Sequence, residues 1–341
     1  MKILVTGGAG FIGSHLVESL IDAGHVVTAF DDLSTGKVEN INPQILTHPK
    51  FQLVRGDICE RVQVDCFMKD ADAVVHLAAV SSVPKSFLDP IRTNKVNVEG
   101  FINVMQSAIH NDVKRMVYMS SAAIYGDIAS VYGNQPIQEE FDANAVPLSP
   151  YAITKRANEQ YAQLYDGMVS TDIIGLRLFN AYGPKQDANS AYAAVIPKWI
   201  NAVLDRKPIG IYGDGLSVRD FIYVDDVVRT IESVLMPTPY SDQRRWDKKI
   251  YNVASGEPIK MRTLAWKILT IAEDLMGSRN VCSIIDELDE RVGDIRFSCA
   301  DIFKSRYELD GFARTPLDDG LRLTFEWHMK QRKVDKIENN A

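Results

Sequence analysis

A glycine-rich turn near the N-terminus constrains the fold of this chain most. Gly7, Gly10 and Gly13 lie between the apolar run Ile3–Thr6 and a stretch whose apolar residues recur at helical spacing. Glycine is needed where the backbone N–H groups at a helix N-terminus must approach a pyrophosphate closely. A glycine triplet alone is weak evidence, but one between a strand and a helix predicts dinucleotide binding.

Short apolar runs alternate with helical patterns through the first half of the chain. This alternation predicts an α/β fold: a Rossmann-type doubly wound parallel sheet covered by helices on both faces. We expect residues 1–180 to form the NAD-binding domain, with 221–228 and 250–255 returning to it, and residues 181–330 to form a smaller α/β lobe that binds substrate. Residues 331–341 should be a charged, frayed tail. The predicted strands are Ile3–Thr6, Val26–Phe30, Phe51–Arg55, Ala73–Leu77, Arg115–Ser120 and Asp172–Leu178.

A carboxylate follows the second predicted strand. Asp31 lies 18 residues beyond Gly13, where a carboxylate can accept both ribose hydroxyls of NAD and would repel the extra phosphate of NADP. This position predicts NAD as the cofactor. The alternative is an ordinary solvated carboxylate in a loop.

A tyrosine and a lysine are spaced one helical turn apart. Tyr151 and Lys155 follow Pro150 and should share one face of a helix. A nearby ammonium favours the phenolate, so the pair could act as a base near neutral pH. The spacing alone is common, but here it follows a dinucleotide motif and a strand that ends near Ser121. We therefore predict that Tyr151 is the base and that Ser121 hydrogen-bonds the reacting oxygen.

Composition argues against several other classes of protein. The net charge of −7 disfavours a nucleic-acid binder, which needs a basic face. The four cysteines and six histidines show no metal-ligand spacing, so we expect no metal site. No run approaches the roughly 20 apolar residues of a membrane span, and no secretory signal is evident. These features predict a cytoplasmic protein.

These motifs together resemble the extended short-chain dehydrogenase/reductases over nearly the whole chain. Within that family the chain is most similar to UDP-hexose 4-epimerases, especially those acting on UDP-N-acetylglucosamine and UDP-N-acetylgalactosamine. The segments that bear the resemblance are Gly10–Ser14, Gly56–Ile58, His76–Ala79, Ser82–Ser86, Leu148–Ala152, Arg177–Asn180 and Gln186–Trp199.

The resemblance implies a role for each matching position. Asp57 and Ile58 should contact adenine, Lys155 should bond the nicotinamide ribose, and Arg219 and Arg291 should bind the diphosphate of a UDP-sugar. The full cofactor set is Gly7, Gly10, Phe11, Ile12, Gly13, Asp31, Asp57, Ile58, Leu77, Ala78, Asn97, Tyr151 and Lys155. The full substrate set is Ser82, Ser121, Tyr151, Asn180, Asn189, Val195, Tyr212, Arg219, Arg291, Asp294 and Ser298.

Two alanines bear on the type of reaction. Dehydratases of this family carry an Asp-Glu pair, and decarboxylases a Glu, at the positions of Ala122 and Ala123. Alanine cannot transfer a proton, so the resemblance implies 4-epimerisation. In that reaction Tyr151 takes the proton of the 4-hydroxyl while hydride passes to NAD. The resulting 4-keto sugar then rotates within the site, and hydride returns to the opposite face of its C4 carbonyl.

The position of Ser298 bears on which sugar is bound. Relatives restricted to non-acetylated sugars carry a bulky tyrosine there, whereas serine leaves room for an N-acetyl group that Asn189 could bond. Epimerisation of UDP-glucose or of an N-acetylated UDP-uronic acid stays open, as does a net NAD-dependent oxidoreductase. A non-catalytic regulator is disfavoured because Tyr151 and Lys155 are both present. The resemblance also implies a homodimer and a place in polysaccharide biosynthesis. The apolar helix Val98–Ile109 could form the dimer contact or pack within one subunit.

Overall fold

A seven-stranded parallel sheet forms the centre of the computed structural model. The structure describes residues 1–188, 193–236, 249–277, 279, 281–282, 284–290, 295–309 and 313–338. The strands are β1 (Lys2–Thr6), β2 (Val26–Asp31), β3 (Phe51–Arg55), β4 (Ala73–His76), β5 (Arg115–Ser121), β6 (Asp172–Leu178), β7 (Asn180–Tyr182), β8 (Ile209–Tyr212), β9 (Val218–Tyr223), β10 (Ile250–Val253), β11 (Pro258–Lys260) and β12 (Ile285–Leu288).

Helices cover both faces of this sheet and build the remainder of the molecule. They are α1 (Phe11–Asp22), α2 (Pro43–Leu46), α3 (Arg61–Met68), α4 (Val83–Leu88), α5 (Pro90–Asn94), α6 (Phe101–His110), α7 (Ala129–Tyr132), α8 (Pro150–Tyr165), α9 (Val195–Leu204), α10 (Val224–Leu235), α11 (Met261–Met276), α12 (Phe303–Leu309) and α13 (Leu317–Glu338). A π-helical turn at Lys95–Gly100 joins α5 to α6.

The strand order confirms the predicted doubly wound fold. The seven-stranded sheet runs β10-β6-β5-β4-β1-β2-β3, and all its neighbours pair in parallel. The predicted strands agree with the observed ones to within one residue at each end. The order reverses between β1 and β4, and in such sheets ligands bind beyond the carboxyl ends of the strands at that point.

A second, smaller assembly follows β6 along the chain. It contains a three-stranded sheet of order β11-β9-β7 and a two-stranded sheet of β12 and β8. Its core packs α9, α11 and α13 together around Trp199, Leu264 and Phe325. β10, although late in sequence, joins the seven-stranded sheet beside β6.

The structure decides one alternative that the sequence left open and differs from one expectation. The apolar stripe of the predicted helix Val98–Ile109 lies inside one subunit, because Phe101, Val104 and Met105 are fully buried against the sheet. The C-terminal segment is helical as far as Glu338, since α13 continues through most of the predicted frayed tail. Within the described part of the chain, no helix is long and apolar enough to cross a membrane.

Candidate active site

The turn between β1 and α1 brings backbone atoms unusually close together. Gly7 has a φ of +71°, and a Cβ on Gly13 would lie 2.1 Å from the Gly7 carbonyl oxygen. α1 begins after Gly10 without a side-chain cap and without an acidic residue in its first turn. The first N–H groups of α1, including those of Phe11 and Ile12, are therefore open to an anionic group. This cradle fits the pyrophosphate of a dinucleotide.

Asp31 closes β2 beside the same turn. Its side-chain oxygens accept hydrogen bonds from the backbone N–H groups of Ala9 (3.0 Å) and Leu33 (2.9 Å). Burial raises the pKa of this carboxyl, and the two backbone hydrogen bonds act in the opposite direction. The carboxylate thus stands where the sequence predicts a partner for the ribose hydroxyls.

The other predicted cofactor residues follow β3 and β4. Asp57 accepts a hydrogen bond from the N–H of Cys59 at 2.8 Å, and Ile58 is buried. Leu77 continues from β4 by donating its N–H to the Thr6 carbonyl at 3.0 Å. Ala78 follows directly, and a Cβ on Gly7 would lie 2.7 Å from its nitrogen. The structure therefore brings the loops after β1 and β4 into direct contact.

Asn97 acts within the protein as a clamp. Its Oδ1 accepts from the N–H of Val80 (2.8 Å), and its Nδ2 donates to the Val80 carbonyl (3.1 Å) and to Thr154 Oγ1 (3.1 Å). It lies in the π-helical turn before α6. This amide ties the loop after β4 to α8, a role that its sequence position did not indicate.

Two serines fix the beginning of α8. Ser149 Oγ accepts from the N–H of Ala152 at 3.1 Å, and Ser86 Oγ accepts from the N–H of Tyr151 at 3.1 Å. Pro150 has no N–H, so these bonds satisfy the exposed donors of the first turn. Ser82, a predicted substrate residue, caps α4 with its side chain. Ser86, on α4, therefore anchors Tyr151 through its backbone.

The predicted catalytic residues converge at the carboxyl end of β5. The side chain of Ser121, the last residue of β5, interacts with the Tyr151 hydroxyl and lowers the pKa of that phenol. Lys155 Nζ lies 5.8 Å from the centre of the Tyr151 ring and donates to the Met119 carbonyl at 2.7 Å. The arrangement allows a proton to pass between a bound hydroxyl, Ser121 and Tyr151.

Burial controls the ionisation of both groups. It lowers the pKa of Lys155 to about 8, with the Glu159 carboxylate acting in the opposite direction. Burial also raises the pKa of Tyr151, while the hydrogen bond to Ser121 lowers it. From the sequence, the Lys155 ammonium is expected to lower the pKa of Tyr151. In the structure the pKa is raised, because removal of the phenol from water outweighs the effect of Ser121.

A buried ion network behind the site was not predicted. Arg177, 1% exposed, donates to both oxygens of Glu159 (2.9 and 2.8 Å) and to Asp142 (2.7 Å). Ser120 Oγ donates to Glu159 at 2.5 Å. Glu159 lies one turn beyond Lys155, a spacing that could have signalled its role, whereas its partners come from distant strands. The network joins α8 to β5 and β6.

Three predicted substrate residues meet near β9. Asn180 Nδ2 donates to the Asp220 carbonyl at 2.8 Å, Arg219 lies on β9 itself, and the N–H of Ser298 donates to the Val218 carbonyl at 3.1 Å. Val195 begins α9 and Tyr212 ends β8. The predicted residues Asn189, Arg291 and Asp294 lie outside the described residues. Over the described ranges, no cluster of metal-ligating side chains is present.

Comparison with known proteins gives matches along nearly the whole chain. The family described as NAD dependent epimerase/dehydratase matches residues 3–254. A UDP-N-acetylglucosamine 4-epimerase from Methanobrevibacter ruminantium M1, solved in complex with UDP-N-acetylmuramic acid, is 36% identical; its TM-score is 0.83, covering 97% of this chain and 98% of that one. A UDP-glucose 4-epimerase from Thermus thermophilus, solved in complex with NAD, is 29% identical, with a TM-score of 0.82 and coverage of 96% and 99%. A dTDP-glucose 4,6-dehydratase of Streptomyces griseus is 32% identical over 97% of this chain and 94% of its own length.

Proposed function

Because this chain belongs to the NAD dependent epimerase/dehydratase family, we propose that it is a 4-epimerase that interconverts UDP-N-acetylglucosamine and UDP-N-acetylgalactosamine. The observation that carries the proposal is the end of β5, where Ser121 is followed by Ala122 and Ala123. The resemblance implies that eliminating relatives carry an acid at these two positions, and alanine cannot transfer a proton. The site therefore retains the groups for oxidation and reduction of a carbinol and lacks those for loss of water.

NAD is the cofactor, and the glycine turn and Asp31 fit its pyrophosphate and ribose. When bound, it supplies the acceptor and donor of hydride. The protein's part is proton transfer: Tyr151 takes the proton of the sugar 4-hydroxyl, and Ser121 holds the oxygen in place. The Lys155 ammonium, 5.8 Å from the ring centre, favours the phenolate form of Tyr151, which accepts this proton and becomes a neutral phenol.

Epimerisation also requires that the sugar ring turn over while its nucleotide stays bound. We assign binding of the diphosphate to Arg219 and Arg291, since the forked guanidinium group can form paired hydrogen bonds to phosphate oxygens. The net charge of −7 makes such local cations necessary for a dianionic ligand. The hexose would be held loosely enough for the 4-keto intermediate to present its other face.

The choice of an N-acetylated sugar rests on Ser298. Its small side chain lies beside β9, where its N–H is bonded to Val218, and leaves more space than a tyrosine would. The Methanobrevibacter relative, solved with an N-acetylated UDP-sugar, supports the same preference. UDP-glucose/UDP-galactose or an N-acetylated UDP-uronic acid are the alternative substrates.

A homodimer is the assembly we propose. Ile153 and Leu164 on α8 are 58% and 62% exposed, and Ile91 on the adjacent α5 is 83% exposed. Such apolar surface on neighbouring helices is typical of an interface. In a dimer with a two-fold axis, the surface formed by α5 and α8 of one copy would be buried against the same surface of the other copy.

Product analysis without added cofactor tests the proposal. The purified protein is incubated with UDP-N-acetylglucosamine, and the epimers are resolved by NMR; a denatured sample is assayed for released NAD. We expect UDP-N-acetylgalactosamine to form without added NAD, and more slowly from UDP-glucose. A requirement for added NAD with stoichiometric formation of NADH would instead indicate a net oxidoreductase. Unchanged stereochemistry of every UDP-hexose tested would refute the epimerase.

A further inference from the structure

A fully buried carboxylate lies immediately after the arginine assigned to the diphosphate. Asp220 is 0% exposed. Its Oδ1 accepts from the N–H (2.9 Å) and hydroxyl (2.6 Å) of Ser255, and its Oδ2 accepts from the N–H groups of Gly256 (3.0 Å) and Ala300 (3.2 Å). Every one of these partners donates, which suits an ionised carboxylate because it only accepts.

These hydrogen bonds join segments that are far apart in sequence. Ser255 and Gly256 follow β10 of the large sheet, whereas Ala300 comes two residues after Ser298. The backbone carbonyl of Asp220 itself accepts from Asn180 Nδ2 at 2.8 Å. Asp220 is thus a junction between the end of the NAD-binding sheet and the segments that bear three predicted substrate residues.

We infer that Asp220 is a positioning residue for the UDP-sugar, which holds Arg219, Asn180 and the Ser298 segment in one arrangement without touching the ligand. The inference rests on the proposed function. An arginine side chain can bind a diphosphate only if its backbone is held in the correct position, and small displacements of binding groups lower the binding affinity strongly. Tyr151 and Lys155 lie on a different element, α8, so Asp220 should affect substrate binding far more than chemistry.

Asp220→Asn tests this with little change in volume. An amide carries two donors of its own. With its NH₂ at the Oδ2 position it would face the N–H groups of Gly256 and Ala300. With its NH₂ at the Oδ1 position it would face the N–H of Ser255, although the Ser255 hydroxyl can rotate to accept. The second orientation is milder, so the variant should keep its fold while the loop at Ser255 loses its anchor.

The readouts are the dissociation constant of UDP alone, measured by isothermal titration, together with KM, kcat and NAD content. For Asp220→Asn we expect the UDP dissociation constant and KM to rise about tenfold, which corresponds to about 1.4 kcal/mol, with kcat changed less than about threefold and NAD retained. Asp226→Asn is the matched control. Asp226 is also 0% exposed and accepts backbone N–H bonds from Arg314 (3.0 Å) and Thr315 (3.1 Å); it lies on α10, where it also pairs with Arg229. It should lose stability but bind UDP within about twofold of wild type.

Three results would overturn the inference: wild-type UDP affinity in Asp220→Asn, an equal loss of affinity in Asp226→Asn, or a fall in kcat with KM unchanged. Should Asp220→Asn not fold, Ser255→Ala decides, because it removes one donor and keeps the carboxylate. It should weaken UDP binding about threefold, and unchanged affinity there would refute the inference. A wild-type protein that binds UDP but converts no UDP-hexose would count against the epimerase alone.

Discussion

Removal of two tyrosine hydroxyls, one at a time, should separate chemistry from stability. Tyr151 and Tyr125 each keep their ring when changed to phenylalanine, so packing is preserved and only the hydroxyl is lost. The Tyr151 hydroxyl interacts with the Ser121 side chain at the end of β5. The Tyr125 hydroxyl belongs instead to the ion network behind the site. The two variants therefore remove the same group from two different environments.

The stability cost follows from the partners of each hydroxyl. Tyr125 donates to Asn252 Oδ1 at 2.7 Å and accepts from Arg177 Nη1 at 2.8 Å. Hydrogen bonds to charged groups contribute about 1.5–3 kcal/mol and neutral ones about 1 kcal/mol. Tyr125→Phe should thus lower the free energy of unfolding by about 2.5–4 kcal/mol, and Tyr151→Phe, with one neutral partner, by about 1 kcal/mol.

The loss of turnover should be larger for Tyr151→Phe than for Tyr125→Phe, which is the reverse of the order expected for the loss of stability. A general base contributes about 10²–10⁴-fold to the rate, so Tyr151→Phe should lower kcat by about that factor, or about 3–5 kcal/mol of activation free energy. NAD should remain bound, because the glycine turn is untouched. Tyr125→Phe should keep kcat within about threefold of wild type, since its hydroxyl lies in the network behind the site.

Urea denaturation gives the unfolding free energies, and epimer formation followed by NMR gives kcat. The reasoning requires that the variant with the smaller loss of stability has the larger loss of turnover. It would be refuted if Tyr151→Phe kept turnover within about tenfold of wild type, or if both variants lost activity in proportion to their loss of stability.

Three further changes test single features. In Gly13→Ala the new Cβ would lie 2.1 Å from the Gly7 carbonyl oxygen, so the protein should purify without NAD; a normal NAD content would contradict the proposed cradle. Burial lowers the pKa of His76 to about 3. Below about pH 6.5 His76 is therefore protonated in the unfolded chain but stays neutral in the folded protein, which lowers the free energy of unfolding. In urea denaturation, wild type should lose about 2 kcal/mol more stability than His76→Gln between about pH 7 and about pH 5, and equal losses would count against this. Leu164→Asp should sediment as a monomer, whereas Gln163→Asp on the same exposed turn should not; equal sedimentation would remove α8 from the proposed interface.

Local signals account for the parts of the fold that could be predicted. The strands of the parallel sheet are buried on both faces, so they read as short apolar runs such as Ala73–His76, and their limits follow from the sequence. The glycine turn and the Tyr151–Lys155 spacing are equally local, because a tight turn and a single helical turn each involve few residues. These signals suffice to predict that the glycine turn and Tyr151 lie at the carboxyl ends of the strands.

Long-range contacts account for what could not be predicted. The apolar stripe of α6 fits either a dimer contact or a core, and only the packing of Phe101 and Met105 against the sheet decides for the core. Asn97 is predicted from the resemblance as a cofactor residue, whereas the hydrogen bonds of its amide with Val80 and Thr154 could not be predicted from the sequence. The pKa of Tyr151 depends on how far the phenol is removed from water, which no spacing in the sequence records.

The register of α8 links these observations. Tyr151, Lys155 and Glu159 are each four residues apart, so they share one face of the helix. A shift by one residue would rotate that face by about 100° and remove the phenol from Ser121 and the amine from Met119. The first turn is fixed by two serine hydroxyls, and the third turn by the ion pair of Glu159 with Arg177. Because α8 is fixed at its first turn by Ser86 and Ser149 and at its third turn by the Glu159–Arg177 ion pair, we expect this ion pair, rather than the Tyr125 hydroxyl, to hold Tyr151 beside Ser121.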